Sequence, residues 1–276
     1  MPKIVVDGAQ INVETEGAGP ALVLLHGFTG SAASWAPHIK AFASRHLTVA
    51  VDLLGHGQSD APADPGRYGL AHCVEDVLAV LDSLEIRQAA VLGYSMGGRA
   101  ALAVAVAAPE RVSALILESA SPGLRDPEVR MARAAQDALL AEAIERDGVE
   151  AFVEEWERQP LFASQTTMPD EARAALRSQR LRNRAVGLAN SLRGFGQGTM
   201  MPMHDFLAEI AAPTLVIAGA LDERYVGLAR EMSDRIPGAH LQVVEGAGHA
   251  VHLEQPETFQ RLVLEFLSRV SGIRSR

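Results

Sequence analysis

Six short runs of the chain, 21–25, 47–51, 89–92, 112–117, 214–218 and 241–244, are apolar at almost every position. A strand with no polar face has no side to turn to water, so such runs belong inside a sheet covered on both faces. Amphipathic stretches such as 70–84, 97–107, 224–235 and 256–270 lie between or after them and supply the crossover helices that parallel strands need. The pattern predicts an α/β chain built on a parallel sheet. Ahead of it, residues 3–16 read as two short strands around the hairpin turn Asp7-Gly8.

The alternation breaks between Pro122 and Asp205, where the chain turns rich in Ala, Glu and Arg and carries no strand pattern. We therefore expect a core made of residues 1–122 and 205–276 and a helical lid made of 123–204. Insertions at the C-terminal edge of a parallel sheet lie where ligands bind. A chain of 276 residues suits one large domain with such an insertion.

Composition removes several classes of function. A net charge of −9 argues against a general nucleic-acid surface, which needs a concentrated basic face. No run of about 18 apolar residues is present, and Met1-Pro2-Lys3-Ile4 does not begin a secretory signal, so a cytoplasmic protein without membrane association is expected. The single cysteine, Cys73, cannot form an internal disulfide and reads as core filler.

The chemistry begins where the run 89–92 enters Gly93-Tyr94-Ser95-Met96-Gly97-Gly98 and then a helix. Gly-x-Ser-x-Gly between strand and helix forms a turn so tight that only small residues fit around it, and it lifts the hydroxyl above the sheet. A hydroxyl is a poor nucleophile or base until an imidazole takes its proton. Of nine histidines, His249 stands on the glycine-rich loop Glu245-Gly246-Ala247-Gly248-His249 after a strand, and His252 has the weaker claim. The carboxylate that orients the imidazole should end the preceding strand, which selects Asp222. Asp52 precedes the serine and opens a turn-rich loop, which suits structural hydrogen bonding. The loop His26-Gly27-Phe28-Thr29-Gly30 supplies an oxyanion hole with the N–H groups of Phe28 and Met96. A metal site of His249, His252 and Glu254 lacks a recognised ligand spacing. This is the order of parts in the α/β-hydrolase fold: a mostly parallel sheet, helices on both faces and a helical lid insertion.

Arg99 lies four residues after Ser95, one helical turn on, so it can stand beside the serine at the pocket mouth. There it suits a carboxylate better than a hydrophobic ester. The string Gly93-Tyr94-Ser95-Met96-Gly97-Gly98-Arg99 and the segment Glu118-Ser119-Ala120-Ser121-Pro122-Gly123-Leu124 resemble the 2-succinyl-6-hydroxy-2,4-cyclohexadiene-1-carboxylate synthases of menaquinone biosynthesis. Residues 159–164, 187–194 and 246–254 are similar to that family in the same order, so the likeness runs from about residue 22 to 268. Gly196-Gln197-Gly198 and Met200-Met201-Pro202-Met203-His204 depart from the Gly-Thr-Gly and Pro-x-Leu-Trp of many members.

The resemblance implies a lyase that expels pyruvate by a 2,5-elimination from a substrate with three carboxylates. Ser95, His249 and Asp222 would then abstract a proton without an acyl intermediate. By the same resemblance Arg99, Arg133 and Arg180 would hold the carboxylates, with Arg177 a rival to Arg180. Tyr94 and Trp156 would contact the ring and succinyl arm, and Phe162 would close the pocket. No cofactor and no metal are implied, and the partner is a small polycarboxylate. The segment 123–204 holds eleven arginines against twelve acidic residues, so geometry must make the anion site. The rivals are a carboxylesterase or carbon–carbon bond hydrolase with the same triad, and a non-catalytic binding protein on the same fold. A haloalkane dehalogenase needs Asp where this chain has Ser95.

Overall fold

The computed structural model describes residues 3–274. Its strands are β1 (Lys3–Val6), β2 (Ala9–Glu16), β3 (Ala21–Leu25), β4 (Leu47–Val51), β5 (Ala89–Tyr94), β6 (Val112–Glu118), β7 (Thr214–Gly219) and β8 (His240–Val244). They form one sheet in the order β1-β2-β4-β3-β5-β6-β7-β8. The hairpin of β1 and β2 joins β4 antiparallel, and every other pairing is parallel. The parallel α/β architecture expected from the six apolar runs is the one that forms.

Period-two alternation sends successive side chains of each central strand to opposite faces. Val23, Val91, Leu115 and Val216 join one core, while Leu24, Leu92, Ile116 and Ile217 join the other. The first core is covered by α2 (Leu70–Ser83), α3 (Met96–Ala107) and α7 (Glu223–Arg235). The second is covered by α1 (Ala36–Ala43), by Val251 of the short α8 (Val251–Glu254), and by α9 (Pro256–Arg274), whose Phe259, Val263 and Phe266 are buried. The run 241–244 is less apolar than it reads, because β8 is an edge strand with His240 and Gln242 exposed.

Between β6 and β7 the chain leaves the sheet for α4 (Pro127–Glu157), the 3-10 segment Pro160–Thr167, α5 (Asp170–Leu181) and α6 (Ala185–Phe195). Gly148, at φ 85° and ψ 168°, breaks α4 into two rods. Ile144, Phe152, Val153, Leu188 and Leu192 form a third, smaller core between these helices. Asn183 Nδ2 donates to the Thr29 carbonyl at 2.8 Å and Gln179 Nε2 to Ser34 Oγ at 2.6 Å, tying the helices to the loop after β3. Among the described residues, no helix is long and apolar enough to cross a membrane.

The strand order positions the site. From β3 the chain moves to β4 on one side and then to β5 on the other, so the loops after β3 and β5 part in opposite directions. Such a switch point opens a crevice at the C-terminal ends of the strands. The loop 26–30 and Ser95 flank it.

Three buried histidines around this edge make the fold acid-sensitive. Burial lowers His26 to about 4, and lowers His38 and His56 to about 3, with His252 and His26 respectively adding to the effect. Each is neutral in the folded chain at neutral pH, whereas the unfolded chain takes up protons below about pH 6.5. Stability is therefore greatest above that point and declines as pH falls toward 4 and 3, by up to about 1.4 kcal/mol per pH unit for each histidine. Urea unfolding at about pH 7.5 and about pH 5 should show the loss, and His38→Gln should shallow it. An unfolding midpoint indifferent to pH over this range would contradict the account.

Candidate active site

Ser95 sits between β5 and α3 with φ 51° and ψ −106°, a conformation L-residues rarely adopt. The neighbours explain how the turn is tolerated. A methyl group on Gly93 would stand 2.1 Å from the Gly97 carbonyl oxygen, and one on Gly97 2.1 Å from that of Leu25. The Ser95 amide donates to the Glu118 carbonyl at 2.9 Å, fixing the turn to the end of β6.

The imidazole reaches the serine from β8. His249 Nε2 lies 2.9 Å from Ser95 Oγ, and Nδ1 lies 2.7 Å from Asp222 Oδ2. Since the carboxylate can only accept, Nδ1 carries the hydrogen and Nε2 is left as the acceptor for the serine proton. Asp222 caps α7, its other oxygen taking the Tyr225 amide at 3.3 Å. The loop bearing His249 is held by Glu254, whose carboxylate accepts from the amides of Gly248 at 2.6 Å and Ala250 at 3.1 Å. His252 turns away, its Nδ1 2.9 Å from the fully buried Glu118. Glu254 and His252 therefore serve the scaffold. Asp52 does likewise, accepting from the Ala32 amide, the Gln58 amide and Asn12 Nδ2 at 2.6, 2.8 and 2.9 Å.

Ser95 and His249 open into a cavity of about 480 Å³. Phe28 and Met96 line it, and among the described residues neither backbone amide has a protein acceptor. Both are thus available to an oxygen held above the serine, with Met96 at the positive end of α3. Tyr94, Trp156 and Phe162 form aromatic walls, Tyr94 and Phe162 lying 5.4 and 6.3 Å from the His249 ring. Among the described residues the buried Trp156 indole N–H has no partner, leaving a donor for a ligand. Burial, with Glu118 nearby, raises the Tyr94 phenol well above 10, so it stays protonated.

The arginines are compensated unequally. Arg99 is not at the mouth, as its place one turn after the serine suggests, but buried at 8% exposure, because the helices after β6 close over it. Its guanidinium donates to the Phe195 carbonyl at 2.6 Å and lies 4.8 Å from the Phe195 ring centre. Among the described residues it has no carboxylate partner. Burial lowers it to about 10, and it remains a cation at neutral pH. Arg133 Nε donates to Asp137 at 2.9 Å, and Arg180 Nη1 to Glu157 at 3.1 Å. Arg177 also bonds Glu157, at 2.5 Å, but lies outside the cavity, lining a separate groove that Arg180 borders from the inside. The exposed Arg224 is a further cation at the rim.

Sequence reasoning passed over Tyr225 and Gln197. The Tyr225 ring packs edge-on against His249 at 4.4 Å, and Gln197 lies between it and Arg133. Tyr225 could have been found, since three residues after Asp222 on the first turn of a helix is the same face. Gln197 stood only as a departure from a family pattern.

The alpha/beta hydrolase fold model matches residues 20–256. A Bacillus subtilis protein provisionally named 2-succinyl-6-hydroxy-2,4-cyclohexadiene-1-carboxylate synthase is 43% identical over 96% of this chain and 97% of its own. The enzyme of that name from Salmonella paratyphi B is 33% identical over 86% of this chain and 89% of its own. The structure of MenH from S. aureus is similar at 32% identity, with a TM-score of 0.90 over 95% of this chain and 98% of that one.

A buried cation without a carboxylate strains the fold that holds it. Arg99→Met, which keeps the length of the side chain and removes the charge, is expected to raise stability by about 1–2 kcal/mol while weakening anion binding. Thermal unfolding of the two proteins measures the first effect. A less stable variant would mean that the Phe195 contacts outweigh desolvation.

Proposed function

The chain belongs to the 2-succinyl-6-hydroxy-2,4-cyclohexadiene-1-carboxylate synthase family of the α/β-hydrolase fold, and we propose that Ser95, His249 and Asp222 perform its elimination. The substrate is 2-succinyl-5-enolpyruvyl-6-hydroxy-3-cyclohexene-1-carboxylate. The observation that carries this reading is a serine–imidazole pair opening into a cavity whose inner wall holds Arg99, Arg133 and Arg180. An apolar ester would leave Arg99 desolvated with no carboxylate to meet it, whereas a tricarboxylate matches all three cations.

The reaction follows from the proton arrangement. His249 Nε2 draws the hydroxyl proton, and the Ser95 oxygen takes a proton from C2, the ring carbon that bears the succinyl group. The electron pair of the broken C–H bond moves through the ring double bond, which shifts to give the diene, and expels the enolpyruvyl oxygen. The leaving enolate takes a proton and ketonises to pyruvate. No carbonyl carbon is attacked, so no acyl-enzyme forms. Asp222 holds the imidazole in the tautomer with Nε2 free and stabilises it once charged. The Phe28 and Met96 amides stabilise the enolate-like charge, a contribution commonly worth about 3 kcal/mol per donor. Arg99, Arg133 and Arg180 hold the carboxylates, Tyr94 and Trp156 contact the ring and succinyl arm, and Phe162 closes the pocket. The helical segment 123–204 acts as the lid.

Purified protein given the enolpyruvyl substrate should release one pyruvate per diene formed, and Ser95→Ala should abolish the release. An activated ester giving a burst and a covalent label on Ser95, with no pyruvate from the enolpyruvyl compound, would favour the hydrolase reading instead. Arg99→Ala should raise the barrier by about 2–4 kcal/mol through the loss of one desolvated charge contact. Arg180→Ala should raise KM strongly, whereas Arg177→Ala should leave it near wild type. Equal effects of the last two would remove Arg180 from the site.

A further inference from the structure

Gln197 and Tyr225 are both buried at 7% exposure and both line the cavity. Gln197 Oε1 lies 3.5 Å from Arg133 Nη1, and its Nε2 lies 3.1 Å from the Tyr225 hydroxyl. The orientation of the amide is dictated by chemistry. A guanidinium can only donate, so Gln197 must offer its oxygen to Arg133 and its N–H to Tyr225. The tyrosine oxygen is then the acceptor, and its own O–H has no protein acceptor among the described residues. Edge-on packing against His249 at 4.4 Å fixes the ring, and the hydroxyl is close enough to Arg99 to interact with it electrostatically.

We propose that Gln197 and Tyr225 complete a carboxylate subsite with Arg99 and Arg133, in which the Tyr225 hydroxyl donates a hydrogen bond to a substrate carboxylate oxygen and Gln197 aims it. The inference rests on the cavity being a polycarboxylate site. A carboxylate oxygen is a pure acceptor, and donation to it from a buried phenol is a charge-assisted bond, stronger than a neutral pair. Gln197 holds two partners from different elements at once, Arg133 on α4 and Tyr225 on α7. Tyr225 is a specificity-determining contact, and Gln197 is a positioning residue acting through it.

Calorimetric titration of propane-1,2,3-tricarboxylate into wild type, Tyr225→Phe, Gln197→Leu and the double variant tests this. Tyr225→Phe keeps the ring on His249 and removes only the hydroxyl, and Gln197→Leu keeps the volume, so both should melt near wild type. Each single substitution should weaken binding about tenfold or more, the effect of a lost bond to a charged group. The double variant should be no weaker than either single one, because the two act through one bond. With the enolpyruvyl substrate, Tyr225→Phe should raise KM and leave kcat largely intact. The proposal is overturned if Tyr225→Phe binds the tricarboxylate within about twofold of wild type, if the two effects simply add, or if wild type does not bind it. Failure of the lyase reading would show separately, as an absence of pyruvate release with the binding pattern intact.

Discussion

A hydroxyl 2.9 Å from an imidazole that is itself 2.7 Å from a carboxylate requires loops from β5, β7 and β8 to meet within a few tenths of an ångström. That requirement organises the rest of the molecule. The parallel sheet sets the three loops side by side on one edge, and rigid backbone bonds fix each of them. Ser95 is tied to Glu118, Asp222 caps α7, and the His249 loop is gathered by Glu254. Glu118 serves twice, its carbonyl holding the serine turn and its buried carboxylate holding the backbone and ring of His252, three residues from His249. The serine and histidine loops are thereby referred to a single strand end.

The second organising constraint is charge in a confined space. Of the three inner arginines, Arg133 and Arg180 rest against carboxylates, while Arg99 rests against a carbonyl and a ring. Paired cations cost the fold less than bare ones, yet a bound carboxylate must share them with Asp137 or Glu157. On the reading proposed above, Arg99 contributes most to anion binding, because its desolvation is already complete and no internal carboxylate competes for it. The paired arginines then act chiefly through geometry, each carboxylate holding its guanidinium toward the cavity. This division suits a segment whose formal charges nearly cancel.

The sheet was legible in the chain because fully buried strands can be written in few ways. The runs 21–25, 47–51 and 214–218 are apolar on both faces, and each forms the strand expected of it. The serine turn was legible for a similar reason, since a positive φ at Ser95 needs its glycine neighbours. The family, too, was carried by contiguous strings. Much less legible were relations between residues brought together from distant parts of the chain. Nothing local distinguishes Arg180 from Arg177, three residues apart on one helix, and only the packing of α5 against Phe162 and Glu157 puts the first inside and the second outside. Arg99 read as a rim residue because a helical wheel knows its own turn but not what closes over it.

Local sequence, acting through backbone sterics and hydrophobic periodicity, determined the strands, the strained serine, and the loops that carry His249 and Asp222. Tertiary packing alone decided which cations are buried, which carboxylate each one meets, and that Gln197 stands between Arg133 and Tyr225. The physical reason is range. Torsional preference and burial pattern act over a few residues, whereas pairing of charges and hydrogen bonds depends on distances that exist only once the chain has closed.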